Sequence, residues 1–173
     1  EFQDHLNDIS HAYQKRLELV KAIINGIHTL PKHRQIKIKS RYERAVVDAD
    51  DRFCKVNKLS LDEVFAGIPG LKVYSEPEAG YFILLDMSAY IGQYLHGVKL
   101  QNGIDLCNVM YSLANVNSVA DLMCYHNPGD GKAYLRYSIS IDYEIDIIEG
   151  LLRIKELMSY LSPEPYTPVV SQM

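Results

Sequence analysis

The sequence predicts an α/β domain of the α+β kind. We expect a small, mostly antiparallel or mixed sheet of three or four strands, covered by helices and preceded by long helical arms. Three observations predict it. Residues 2–56 carry their apolar side chains at helical spacing; short apolar runs bounded by Gly, Pro and Asp begin at about residue 71; and residues 134–141 alternate strictly just before an amphipathic helix.

The first element spans 2–27. Phe2, Leu6, Ile9, Tyr13, Leu17, Val20, Ile24 and Ile27 recur in steps of three and four, and Asp4, Asp8, Gln14, Lys15, Glu18 and Lys21 fill the opposite face. Gly26 offers a stop. A helix this long with a narrow stripe reads as an arm or connector as much as a core element. Pro31 interrupts the pattern, and a second helix is expected over 36–56 on the stripe Tyr42, Ala45, Val46, Ala49, Phe53 and Val56. Asp48, Asp50 and Asp51 then fall on its solvated face, a commoner arrangement than a cation site. Ser60 with Glu63 three residues on is a capping box for a short helix through Ala66, closed by the turn Gly67-Ile68-Pro69-Gly70.

Strands follow. Leu71-Lys72-Val73-Tyr74 alternates, and Tyr81-Phe82-Ile83-Leu84-Leu85-Asp86 is apolar nearly throughout, which predicts a strand covered on both faces. Ser88 is placed to cap a short helix through Leu95, and 97–103 reads as a loop. Asn102 opens a helix over 104–113 with Leu106, Cys107, Met110 and Leu113 inward. A further strand is expected within 116–123. Asn127-Pro128-Gly129-Asp130-Gly131 is a turn that leads into the alternating strand. Its GxG precedes a strand, whereas a dinucleotide fingerprint opens a helix, so no phosphate loop is assigned. The last helix, 142–161, turns Ile145, Ile148, Leu152, Leu157 and Leu161 inward and places Asp142 and Glu144 at its positive end. The chain thus divides into a helical arm or connector (1–58), a small α/β domain (59–161) and a Pro-rich tail (162–173). It starts at Glu1 without a methionine, which reads as a piece of a longer protein or a processed start.

Composition excludes several classes of function. A formal net charge of −4 leaves no basic surplus for nucleic acid, and the cluster from Lys32 to Arg44 runs into Asp48, Asp50 and Asp51. No apolar run is long enough for a membrane span, and no signal peptide is visible. Cys54, Cys107 and Cys124 form neither a disulfide set nor a CxxC pair, so reduced thiols and a cytoplasmic location are expected. The six histidines show no metal-ligand spacing, and no metal site is assigned.

Chemistry concentrates in Tyr134-Leu135-Arg136-Tyr137-Ser138-Ile139-Ser140-Ile141. Leu135, Tyr137, Ile139 and Ile141 share one face, which the following helix covers. Tyr134, Arg136, Ser138 and Ser140 share the other. Arg136 therefore projects from a rigid element, and its planar fork matches a carboxylate or phosphate bidentately. An internal ion pair with an Asp or Glu satisfies the same pattern, and the strand alone leaves both readings open.

Two segments together resemble a known family. Pro77-Glu78-Ala79-Gly80-Tyr81-Phe82-Ile83-Leu84-Leu85-Asp86-Met87-Ser88 resembles the stretch "P-x-G-G-[FY]-F-x-[LW]-x-D-[LM]-S" of the small C-terminal domain of class I/II, fold-type-I pyridoxal-phosphate aminotransferases. Tyr134-Leu135-Arg136-Tyr137-Ser138 resembles that family's "[FY]-[IL]-R-[LI]-S" strand. Tyr13-Gln14-Lys15-Arg16 and Tyr42-Glu43-Arg44 each resemble the "Y-x-x-R-R" helix that leads into the domain. The resemblance spans about residues 1–161. It implies that Arg136 grips the α-carboxylate of an amino-acid or 2-oxo-acid substrate, holding the Cα–H bond perpendicular to the cofactor ring.

The departures are as informative. The family's Schiff-base lysine in an "S-x-x-K" setting, its aspartate on the pyridine nitrogen and its phosphate-binding residues are all missing, and Lys37 and Lys39 have the wrong surroundings. Where a "V-x-x-P-G" element is usual, this chain reads Val116-Asn117-Ser118-Val119-Ala120-Asp121. The expectation is a substrate clamp and mobile domain of a homodimeric aminotransferase whose pyridoxal phosphate is held by a missing large domain, so that these 173 residues alone do not transaminate. The apolar stripe of the first helix is then expected to pack on that large domain, or to drive self-association of the isolated chain. Two other readings stand beside it: a non-enzymatic small-molecule-binding or assembly module, and another fold-type-I enzyme such as a lyase or synthase.

Overall fold

A computed structural model describes residues 2–49, 59–74, 81–120, 131–140 and 143–165. Two helices lead. α1 (Phe2–Asn25) ends at Gly26, whose φ of 84° lies in the left-handed region that favours glycine, and a 3₁₀ turn at Ile27–Thr29 follows. α1 divides in two. Residues 3–12 are exposed, whereas Leu19, Val20, Ala22, Ile23 and Ile24 are in the core, so its C-terminal half is a core element. α2 (Lys32–Asp48) begins four residues before the expected start at 36. Pro31 cannot donate, but its carbonyl accepts from Arg34 and Gln35 N–H (2.9 and 3.1 Å) and starts the ladder. The polar first turn carries no apolar periodicity, which is why the stripe alone placed the boundary late. Phe53, Val56, Asp50 and Asp51 lie outside the described residues.

Ser60 caps α3 (Leu61–Val64) as the motif predicts: its Oγ accepts from Glu63 N–H, and Glu63 Oε2 accepts from Ser60 N–H at 2.7 Å. The strands are β1 (Lys72–Val73), β2 (Phe82–Asp86), β3 (Tyr94–Leu95), β4 (Val98–Lys99), β5 (Val119–Ala120), β6 (Tyr134–Ser138) and β7 (Leu161–Ser162). Two further helices are α4 (Gly103–Ala114) and α5 (Glu144–Met158). The main sheet has the order β1-β2-β6-β5 and is antiparallel throughout; a second, three-stranded sheet runs β4-β3-β7.

Among the described residues, the long apolar run at β2 is not fully covered on both faces. Ile83 and Leu85 are buried, while Phe82, Leu84 and Asp86 are half-buried. Helices α5, α1 and α4 pack together behind the inner face, where Ile83, Leu85, Leu135, Tyr137 and Ile139 join them in the core. Complete burial of Leu85 and of Leu135 contributes about 1.5–3 kcal/mol each relative to exposure.

Three local expectations are corrected. Ser88 does not cap a helix: a 3₁₀ turn spans Ser88–Tyr90, and the chain then makes the β3–β4 hairpin where a helix and a loop were expected. Two-residue strands leave no alternation to read. In α4, Asn102 caps as predicted, its Oδ1 accepting from Ile104 and Asp105 N–H, but Leu113 is 54% exposed and Val109 takes the inward place. Finally, Leu161 leaves the last helix to pair with Leu95 in β7.

One close sheet–helix approach is at Gly150. Tyr137 Oη donates to the Ile147 carbonyl (2.9 Å), and a Cβ on Gly150 would collide with that oxygen. Gly150→Ala is expected to cost about 1–3 kcal/mol in urea denaturation, the penalty of overpacking. The same substitution in a Tyr137→Phe background should be neutral or mildly stabilising, since the clash is gone and alanine favours helix. Burial also pushes the phenols of Tyr137 and Tyr90 well above the ordinary tyrosine range. The folded state thus keeps these protons to higher pH than the unfolded chain. Stability should be flat up to the ordinary tyrosine pKa of about 10 and fall as pH rises beyond it, with a shallower fall in Tyr137→Phe. Denaturation midpoints across that range measure it.

Candidate functional site

The candidate site lies on the face of the main sheet opposite the helices. β6 is flanked by β2 and β5, so a side chain at its centre is fixed by ladders on both sides. Arg136 stands opposite Leu84 on one side and Val119 on the other. Residues directly opposed across antiparallel strands share a face. The open face therefore carries Lys72, Asp86 and Tyr134 in one row, Leu84, Arg136 and Val119 in the next, and Phe82 with Ser138 in the third.

Arg136 is exposed, as alternation predicts, while Leu135 and Tyr137 are buried. Its guanidinium carbon lies 4.4 Å from the centroid of the Phe82 ring. Among the described residues its side chain makes no hydrogen bond and no ion pair. No described carboxylate claims it, so the internal-pair reading has no support from them. Tyr134 departs from simple alternation: it shares this face yet is 5% exposed, because the Tyr74 ring lies 4.4 Å from its own.

Residues Asp86 and Ser88 have structural work to do here. Asp86 Oδ1 accepts from Ser88 N–H at 2.9 Å, and Ser88 Oγ accepts from Ala133 N–H at 3.0 Å. Met87 N–H also donates to the Ala133 carbonyl at 2.8 Å. The end of β2 is thereby tied to the chain just before Arg136. Residues 77–80 of the first motif lie outside the described residues, as do Ile141, Asp142, Asp121 and Cys54, Cys124 and His126. Cys107 is half-buried, with Sγ 3.3 Å from Ser118 Oγ.

A second polar cluster sits at the other end of β6, and sequence reasoning missed it. Glu144, at the start of α5, forms a bidentate pair with Arg41 of α2: Nε donates to Oε2 at 2.7 Å and Nη2 donates to Oε1. Arg16 of α1 donates to the Ile139 carbonyl at 3.0 Å and approaches Glu144 at 3.9 Å. Burial and the neighbouring Arg16 and Arg44 guanidiniums lower the Arg41 pKa, against an opposing pull from Glu18. Of the two Tyr–Arg segments, Tyr13–Arg16 reaches the Arg136 strand, whereas Tyr42 packs edge-on against Phe65 (5.5 Å) and Arg44 bonds within its own helix. Only the long separations in sequence hid this cluster, since each residue alone reads as surface charge.

The pyridoxal-phosphate group implied by the resemblance does not fit the described residues. On the strands of the open face the one described lysine is Lys72, opposite Asp86 at the sheet edge and without a serine setting. Of the helix N-termini, where a phosphate would sit, Asn102 Oδ1 caps that of α4, and Glu144 and Asp146 place negative charge in the first turn of α5. No group of three or more His, Cys, Asp or Glu converges as a metal site among the described residues, and no described helix is long and apolar enough to cross a membrane. Two cavities of about 380 and 350 Å³ lie elsewhere, beside Tyr94 and Tyr160 and between α4 and β5; Arg136 lines neither.

No protein-family model matches the sequence, and no curated protein matches it. Among solved structures, the chain is similar to an aspartate aminotransferase from Rhizobium meliloti at 19% identity and a TM-score of 0.49. The match covers 77% of this chain and 29% of that one. At that identity and score, no residue role is carried across.

Glu144→Gln is expected to cost about 1–3 kcal/mol, since it removes a charge-assisted bidentate bond and leaves two guanidiniums facing each other. Amide hydrogen exchange should quicken first in α2. Exchange in α2 no faster than in the wild type would show that the pair does not hold that helix.

Proposed function

We propose that this chain is the small-domain part of a pyridoxal-phosphate-dependent aminotransferase that moves an amino group between an amino acid and a 2-oxo acid. Its own contribution is Arg136, which grips the substrate α-carboxylate. The observation that carries the reading is the exposed guanidinium, central in the sheet and unclaimed by any described carboxylate, within a strand that resembles the family's carboxylate-binding strand. The Asp86–Ser88 tie to Ala133 gives the Pro77–Ser88 segment a physical purpose: it holds the strand end beside Arg136.

The chemistry of this part is binding and orientation. A carboxylate meets two parallel N–H donors, which fixes both its position and its plane. A substrate held in one plane keeps its α-carbon in a set orientation, and that removes entropy from the later step. The cofactor supplies the electron sink and would be held by another part of the parent enzyme, because the described residues furnish neither its lysine nor its phosphate cup. An open face with a lone grip is half of a site, completed by whatever closes over it. This part alone therefore does not transaminate. A homodimer is the setting that the family resemblance supports, and the three cysteines without a pairing pattern favour a cytoplasmic one.

Calorimetry of the chain against 2-oxoglutarate, L-aspartate and matched amines without a carboxylate tests the grip. Carboxylates should bind, amines should not, and Arg136→Ala should weaken binding about ten- to hundredfold, the worth of a charge-assisted bond. In the parent enzyme the same substitution should raise KM by a similar factor and leave the cofactor absorbance intact. Unchanged kinetics would remove Arg136 from this role. Carboxylate binding by a protein whose parent has no transaminase activity would point instead to a non-enzymatic binding module.

A further inference from the structure

We infer that Phe82 is a positioning residue for Arg136: its ring holds the guanidinium flat, with the N–H edges turned to a carboxylate. The inference rests on the reading of Arg136 as a carboxylate grip. An arginine side chain carries about 2 kcal/mol of rotamer entropy, and among the described residues no ion-pair partner restrains it. The ring lies 4.4 Å from the guanidinium carbon, within the range of a cation–π contact. The register explains why these two meet. Phe82 is opposite Ser138 and Leu84 is opposite Arg136, so Phe82 and Arg136 are diagonal neighbours, a distance that aromatic and long side chains span.

The ring is itself held. The Tyr81 ring lies 4.4 Å from it at 52°, and the Tyr81 carbonyl accepts from Ile139 N–H at 2.8 Å, which anchors the support to the chain that follows β6. Tyr81, Phe82 and Arg136 thus form a row of contacts carried by the same pair of strands. A ring on the guanidinium's face leaves its in-plane donors open, the geometry that a planar carboxylate needs. An ion-pair partner would restrain the arginine equally well, but it would occupy the same donors.

Nitrogen-15 NMR of the arginine side chains in this chain, with 2-oxoglutarate as the probe, tests it. In the wild type the Arg136 Nε–H signal should be displaced by the ring current of Phe82 and should move on titration. Phe82→Leu should abolish the displacement and weaken 2-oxoglutarate binding about three- to tenfold, the worth of a partly desolvated stack. Phe82→Tyr should keep both, which separates positioning from a general loss of folding. Wild-type affinity in Phe82→Leu, with binding still lost in Arg136→Ala, would overturn the positioning role and leave the grip standing. Undiminished binding in Arg136→Ala, or no movement of the wild-type signal, would overturn the grip and the positioning role with it. A wild-type Nε–H signal with no ring-current displacement would overturn the stack directly.

Discussion

The five-residue antiparallel ladder between β2 and β6 is the interaction on which the rest of this structure depends. It pairs Phe82 with Ser138, Leu84 with Arg136 and Asp86 with Tyr134, and so sorts both strands into an inner and an outer row. Ile83, Leu85, Leu135 and Tyr137 go to the helices; Phe82, Leu84 and Arg136 go to the open side. A slip of one residue would turn Arg136 into the core and Leu135 out of it. Burying an unpaired guanidinium costs far more than any surface contact gains, so the register has a strong energetic guard. The Asp86, Met87 and Ser88 bonds to Ser88 and Ala133 add a guard at the strand end.

On the inner side, α5 is the helix against which the other long helices pack. Its face meets α1, α2 and α4, and its glycine at position 150 makes room for the Tyr137 hydroxyl. Glu149, 5% exposed, receives Arg153 Nε at 2.9 Å, and Arg153 in turn donates to the Ala114 carbonyl at the end of α4. Glu144 reaches back to Arg41 and Arg16. The helical arm is thereby bound to the α/β domain by polar bonds as well as by apolar packing. For α1 the division is sharp: its second half is core, and residues 3–12 project from it exposed.

Short-range chemistry was legible at several points, though not at Ser88. The Ser60–Glu63 box, the Asn102 cap, the Gly26 stop and the alternation around Arg136 all act within a few residues of themselves. Illegible features were of two kinds. Strands of two residues, such as those at Tyr94–Leu95 and Leu161–Ser162, carry no period, and only a partner stabilises them. Exposure of single helix positions also went astray. Leu113 faces solvent although its spacing suits the core, because packing partners and not periodicity alone select the inward stripe.

For the candidate site the sequence by itself determined that Arg136 stands out of a half-buried strand, since alternation is a property of the backbone alone. It also carried the resemblance of two segments to the aminotransferase small domain. Only the tertiary structure decided that no described carboxylate claims the arginine, and that Phe82 lies against it. Both facts depend on the register between strands that are far apart in the chain, and no local pattern encodes which residue will face which across a ladder. The same holds for the clasp of Arg16 and Arg41 on Glu144. Each charge reads as solvated surface until folding brings three helices to one point and removes much of the water around them.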